Sequence, residues 1–188
     1  RSKIPMYVAQ AKRKENIVEY LLYMWQVEDL IRAAGVDMEG VERLILPRYG
    51  ERSEAERREL YRWYSELVDM MRAEGKQQSG HLDVHRIVLL QLEELHRRLL
   101  ANSEDYVYSG MHLQILPALI QLRAKGAKEE SELETALSAV YGYLTLTLKG
   151  QEISEDTRQS MKQISSFLAL LAHRYQMEQT GRDLEHQP

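Results

Sequence analysis

The amino-acid sequence predicts an all-α fold, a single-domain bundle of five long helices and one short helix. Three observations carry this prediction. Apolar residues recur at helical spacing along most of the chain, and serines stand at capping positions before several of these segments. Only residues 144–148 (LTLTL) alternate with the period of a strand. Since a lone strand leaves its backbone groups without partners, we assign this stretch to a helix as well.

The first helix is predicted to begin between residues 8 and 14, to end at Gly35 and to lie at the centre of the bundle. Its apolar residues surround it almost completely, in two stripes: Ile17, Tyr20, Met24, Val27 and Ile31 on one side, and Val18, Leu21, Leu22 and Trp25 on the other. Charged residues such as Glu19, Glu28 and Arg32 interrupt this pattern. The helix therefore either contains paired core charges, with Glu28 and Arg32 at the i,i+4 spacing, or lines a site.

The middle of the chain continues the helical pattern. A short helix is predicted over residues 38–46, ended by Pro47. Ser53 and Glu56 have the spacing of a capping box and begin a long helix. A further long helix is predicted over residues 81–101.

The second half of the chain begins with an apolar segment over residues 111–122, in which Pro117 predicts a kink or a break. Ser131 and Glu134 form a second capping-box pair, and Ser154 caps the last helix. Each of these signals marks the start or interruption of a helix.

Composition limits the class of protein. A chain of 188 residues, 44% hydrophobic and 29% charged, suits one globular domain over residues 1–188. Within it we expect residues 1–7 to be a disordered or cloning-derived start and residues 181–188 a polar tail. The chain has no cysteine, which excludes disulfides, thiolate metal sites and cysteine nucleophiles. Without a signal-peptide core or an apolar run of about 20 residues, we expect a cytoplasmic protein with no membrane segment.

The net charge of −4 argues against nucleic-acid binding as the main function. A local basic cluster at Lys12, Arg13 and Lys14 is the exception. This cluster is either the solvated part of a helix, which we favour, or a small contact for phosphate or RNA.

His81 and His85 are the leading candidates for a metal site. Their i,i+4 spacing places both rings on one side of a helix, and a third ligand would come from His112 or His173. Leu82 stands where a helical zinc protease has its glutamate, so that chemistry is excluded. The alternative, which is more common, is that the pair forms hydrogen bonds at the edge of the core.

Glu19 and Tyr23 are the candidates for acid–base chemistry. A glutamate desolvated beside tyrosines would have a raised pKa and could act as a general acid or base. The alternative is a hydrogen-bonded glutamate with no reaction.

Several motifs are missing or incomplete. The glycines form no P-loop, dinucleotide fingerprint or nucleophile elbow. Glu93 and His96 supply one Glu-x-x-His pair, but a di-iron bundle needs two such pairs on helices. We therefore predict no cofactor.

The aromatic balance is unusual, with 11 tyrosines and one phenylalanine. Tyrosine suits half-exposed positions and interfaces. Tyr61, Trp63, Tyr64, Tyr141 and Tyr143 therefore either line the rim of the core or contribute to a surface for a dimer or a partner.

Two segments carry a resemblance to a known family: residues 6–33, MYVAQAKRKENIVEYLLYMWQVEDLIRA, and residues 141–157, YGYLTLTLKGQEISEDT. Both are similar to a domain-of-unknown-function family of helical proteins from bacteria, mainly Bacteroidetes. The resemblance implies a bacterial, helical, single-domain protein. It implies no activity and no catalytic residues.

Two functional hypotheses follow. The first is a non-catalytic interaction or scaffold module that self-associates or binds a protein partner. The second is a small-ligand-binding or metal-binding enzyme with a site between the first, third and fourth helices, with Glu19, Tyr23, His81, His85 and His112 as its candidate residues. We favour the first because no catalytic constellation is apparent.

Overall fold

The computed structural model describes residues 3–126 and 129–185. Within these residues it contains eight α-helices, one short 3-10 helix and no strand, which confirms the all-α class. The predicted number of helices, five long and one short, is wrong. The helices are α1 Pro5–Glu15, α2 Ile17–Ala33, α3 Met38–Leu44, α4 Glu54–Ala73, α5 Asp83–Ala101, α6 Tyr106–Lys125, α7 Glu132–Leu148 and α8 Glu155–Glu185, with the 3-10 helix at Leu46–Tyr49.

Contacts between Cα atoms divide the chain into two compact units, Arg1–Val88 and Leu89–Pro188. In the first unit α1 packs against α2 and α4, and α3 packs against α4. In the second unit α6, α7 and α8 pack against one another. A single domain over the whole chain stays a prediction.

The predicted first helix is in fact two helices, and Asn16 is the reason. Its backbone is extended, with φ −154° and ψ 99°, and its side chain accepts a hydrogen bond from the backbone N–H of Glu19. Asparagine is among the best N-cap residues, so the chain starts a new helix at this point. The helix before it begins at Pro5, a residue suited to the first helical position.

The two ends of the chain are more helical than we expected. Pro5 is buried and helical, although it lies in the predicted disordered start, and α8 extends to Glu185 within the predicted polar tail. Residues 1–2 and 186–188 of these two predictions lie outside the described residues.

Helix α2 is buried on several sides, as its two apolar stripes predict. Eight of its residues are buried, against five in the longer α4. One of the eight is Glu28, so a carboxylate lies among apolar side chains. Glu28 is one of the charged residues that interrupt the apolar pattern of this helix in the sequence.

The capping predictions are confirmed. Ser53 accepts a hydrogen bond from the backbone N–H of Glu56 and begins α4, and Ser131 does the same for Glu134 in α7. Helix α7 includes residues 144–148, so the alternating stretch is helical.

Pro117 does not break α6, which continues through it from Tyr106 to Lys125. Proline lacks an N–H, so the carbonyl of Leu113 has no donor one turn later. Leu113 is exposed, which allows water to take that role. None of the described helices is long and apolar enough to cross a membrane.

Candidate functional site

Glu28 is the centre of a buried polar cluster in the first unit. Its side chain is 1% exposed. Oε1 lies 2.8 Å from Nδ1 of His81, and Oε2 lies 3.2 Å from Nδ1 of His85 and accepts the backbone N–H of Leu82 at 2.7 Å. An ionised carboxylate only accepts hydrogen bonds, so both histidines carry a proton on Nδ1.

These hydrogen bonds determine the charge of Glu28. Burial alone raises the pKa of a carboxylate, because it disfavours the charged form. The bonds from His81, His85 and Leu82 outweigh burial and lower the pKa of Glu28 from 4.5 to about 2. Glu28 is therefore ionised at neutral pH and held by three donors.

The structure decides one alternative at this cluster and corrects one prediction. The pairing of Glu28 with Arg32, which the sequence left open, does not form: Arg32 bonds Asp29 at 2.8 Å and donates to the backbone carbonyls of Lys76 and Gly80. His81 and His85 do not share a helix either, since α5 begins only at Asp83. The two rings still come together, because both donate a hydrogen bond to Glu28, which lies on α2.

Glu19 and Tyr23, the candidates for acid–base chemistry, lie in different surroundings. The side chain of Glu19 is 59% exposed and lies 3.4 Å from Lys12, which agrees with the alternative of a paired glutamate. Tyr23 is partly buried, and burial raises the pKa of its hydroxyl, so it stays protonated at neutral pH. A catalytic role for these two residues stays a prediction.

A second cluster lies in the second unit and joins three helices. Nε2 of His112, on α6, lies 2.8 Å from Oε2 of Glu132, the first residue of α7. Nε2 of His96, on α5, lies 3.2 Å from the same oxygen. Both imidazoles are largely buried, whereas the Glu132 side chain is 34% exposed. We call these three residues the HHE cluster.

Other buried side chains contact the imidazoles of the HHE cluster. Nδ1 of His96 lies 2.5 Å from the hydroxyl of Tyr108, and the buried ring of Phe167 packs near both imidazoles. Tyr108 is positioned at the start of α6, where its backbone N–H donates to the Asp105 cap. The cluster therefore has fixed ring orientations.

The electrostatics of the HHE cluster reflect burial and mutual contact. Burial lowers the pKa of His96, and the hydrogen bond with Glu132 only partly offsets this effect. Burial raises the pKa of Glu132, but the bonds with His112 and His96 outweigh it, so this pKa lies below its usual value. Glu132 is thus an anion facing two imidazoles.

A family model described as Domain of unknown function (DUF4924) matches residues 6–182. The chain belongs to this family. This match confirms the resemblance predicted from the sequence, while a bacterial origin stays a prediction. No curated protein and no solved structure matches the chain. The matched range includes every residue of the Glu28 cluster and of the HHE cluster.

Only one of the metal ligands proposed from the sequence belongs to the HHE cluster. His112 is a member, whereas His81 and His85 are bonded to Glu28 in the other unit. His96 was considered as half of an incomplete Glu-x-x-His motif, and Glu132 was not considered. Their separations, 16 residues from His96 to His112 and 20 from there to Glu132, follow no short motif, so only the packing of α5, α6 and α7 reveals the set.

Proposed function

We propose that this protein binds a divalent cation of the zinc class through the HHE cluster. The observation that carries the proposal is the convergence of two imidazole nitrogens and one carboxylate oxygen from three helices. These three atoms lie within 4.8 Å of one another, and no other group of three such donors occurs in the part of the chain that the structure describes.

The distances suit a metal ion. Zinc–ligand distances of about 2.0–2.2 Å in a tetrahedral site hold the ligand atoms roughly 3.3 Å apart. The two separations from Glu132, 2.8 and 3.2 Å, are already close to that spacing. A cation would therefore need only small side-chain movements to be bound.

The surroundings of His96 support the same proposal. Histidines that bind a metal through one nitrogen commonly bond the other nitrogen to a protein group, which fixes the ring. Tyr108 is in this position on Nδ1 of His96. Its hydroxyl can donate or accept, so the contact can persist whether or not Nε2 is bound to a cation.

The donor set indicates an open site. Structural zinc sites have four protein ligands, whereas three protein ligands leave a position for water or a substrate, where the ion acts as a Lewis acid. The exposed part of Glu132 connects this cluster to solvent. We therefore propose a cation site with access to small molecules, not a closed structural site.

The test is metal binding by the untagged protein. We expect isothermal titration with Zn²⁺ to give one site per chain and the His112→Ala and His96→Ala variants to bind at least roughly tenfold more weakly. His173→Ala is the matched control, because His173 is an exposed histidine on α8 of the same unit. His85→Ala distinguishes the HHE cluster from the histidine pair predicted from the sequence.

The result that would overturn the proposal is equally clear. Either the parent protein binds no Zn²⁺ and shows no rise in thermal stability with Zn²⁺, or the His112→Ala and His173→Ala variants bind it equally well. A cation that binds only the folded chain must stabilise it, so the thermal shift is an independent readout.

A second function, self-association, is favoured by one face of α6. Residues 106–122 carry no charge, and exposed apolar side chains recur seven residues apart along this helix. The face consists of Tyr106, Gly110, Leu113, Pro117 and Ile120, all exposed. An uncharged apolar stripe of this kind is self-complementary, so we propose a second copy of this chain as its occupant, related by a two-fold axis. This arrangement would make the protein a self-associating interaction module.

Light scattering after size-exclusion chromatography tests this proposal. We expect a dimer at micromolar concentration and a monomer for Leu113→Glu, because two buried charges at a two-fold interface repel each other and lose hydration. Leu148→Glu, at an exposed leucine at the end of α7, is the control and should remain dimeric. A monomeric parent protein would end this proposal.

A further inference from the structure

The first unit contains a pocket of about 620 Å³ that neither proposed function uses. Side chains from α1, α2, α4 and the first turn of α5 line it. Its lining combines polar and charged side chains with an apolar group formed by Met24, Trp63, Leu67 and Met70, with the ring of Tyr20 beside them. This volume lies within the range of about 300–1,000 Å³ that is typical of small-molecule sites.

His85 also lines this pocket, and its chemistry there is determined by Glu28. The imidazole is buried, and its Nδ1–H donates to Oε2 of Glu28. In the neutral ring, Nε2 then carries a lone pair and no proton. The lining of the pocket therefore includes an imidazole whose ring orientation is fixed by Glu28.

The mouth of the pocket limits the charge of a ligand. Two arginines, Arg13 and Arg62, and two glutamates, Glu59 and Glu66, are exposed around it. Glu59 also accepts a hydrogen bond from Tyr7 at 3.0 Å. Because these charges balance, the mouth has no net attraction for an anion or a cation, which suits a neutral molecule.

We infer that this pocket binds a small, neutral, mainly apolar molecule that donates a hydroxyl or N–H group to Nε2 of His85. The apolar body of the ligand contacts Trp63 and the methionines, whose flexible side chains adapt to irregular shapes. Glu28 acts as the positioning residue, since its contact with Nδ1 leaves Nε2 as the acceptor. The inference does not depend on the HHE cluster, which lies in the other unit.

The probe for this site is 2-naphthol, an aromatic body with one hydroxyl donor, followed by its own fluorescence. We expect saturable binding to the parent protein. In the His85→Asn variant the amide can still donate to Glu28, but the Nε2 acceptor is lost. We expect this loss to weaken binding roughly five- to tenfold, the effect of removing one partner of a buried hydrogen bond.

His81→Asn is the matched control. His81 donates to the same carboxylate but does not line the pocket. The His81→Asn variant loses no contact with the ligand, so its affinity for 2-naphthol should lie within about twofold of that of the parent. A second comparison uses 2-methoxynaphthalene, which cannot donate. Its affinity for the parent should match that of 2-naphthol for His85→Asn.

Nuclear magnetic resonance of the unmodified protein gives a readout that needs no variant. The Nε2 resonance of His85 should shift on addition of 2-naphthol, because this nitrogen gains a donor. The absence of saturable binding would overturn the inference. So would binding that leaves this resonance unchanged, or equal binding by the parent and a folded His85→Asn variant.

Discussion

Glu28→Gln should lower the free energy of unfolding by roughly 3 kcal/mol, because hydrogen bonds to a buried charged group each contribute about 1.5–3 kcal/mol. The amide has nearly the same size as the carboxylate but carries two N–H donors. At least one of them must face a donor, since His81, His85 and the backbone of Leu82 all donate to Glu28. An amide NH2 at the Oε2 position would face the N–H of Leu82, and one at the Oε1 position could donate to His81 only if that ring changes tautomer. In both arrangements the hydrogen bonds to a charged carboxylate are lost. Urea unfolding of the two proteins measures the difference.

The same carboxylate makes the difference in stability depend on pH. The pKa of Glu28 is about 2 in the folded protein and 4.5 as its ordinary value. A lowered pKa contributes stability above pH 4.5, and the contribution is lost as the pH falls from 4.5 towards 2. The full contribution corresponds to roughly 3 kcal/mol. The parent should therefore lose its advantage over Glu28→Gln across this interval, while other carboxylates titrate alike in both proteins.

Glu19→Gln is the control, because Glu19 is on the same helix but 59% exposed. Its pairing with Lys12 is a surface ion pair, so we expect a change of less than about 0.5 kcal/mol. Equal effects of the two substitutions, or a constant difference between the parent and Glu28→Gln from neutral pH to pH 2, would contradict the role assigned to Glu28.

Gly40→Ala should destabilise the protein by at least about 3 kcal/mol, the upper part of the range for overpacked positions. A Cβ at Gly40 would lie 1.7 Å from the backbone oxygen of Ala34. No side-chain rotation can relieve this overlap, because the backbone fixes the position of a Cβ and the oxygen is itself a backbone atom. The turn between α2 and α3 would have to open, and the buried residues Val36 and Val41 would lose packing.

Gly142→Ala provides the matched control within another helix. A Cβ at this position meets nothing within 4 Å, so only helix propensity changes, and we expect a gain of about 0.5–1 kcal/mol. The two glycine substitutions should therefore change the midpoint of urea unfolding in opposite directions. A neutral or stabilising Gly40→Ala would show that the turn after α2 is looser than the structure indicates.

Local chemistry explains which elements could be predicted from the sequence. Ser53 and Ser131 begin helices because their hydroxyls accept a backbone N–H within one turn, an interaction that neighbouring residues decide. Helix α7 includes the alternating residues 144–148 because no partner strand exists in the described chain. The break at Asn16 is equally local, because its side chain accepts the backbone N–H of Glu19 three residues later.

The sequence alone determined the all-α class, most helix starts and the presence of a charge within the apolar α2, since periodicity and capping act over a few residues. Only the tertiary structure decided the partners of that charge. Glu28 bonds residues more than 50 positions away, and its i,i+4 neighbour Arg32 bonds elsewhere. The HHE cluster is of the same kind, because its donors come from three helices. Long-range packing selects among equally available polar partners by burial and geometry, and no local spacing encodes that choice.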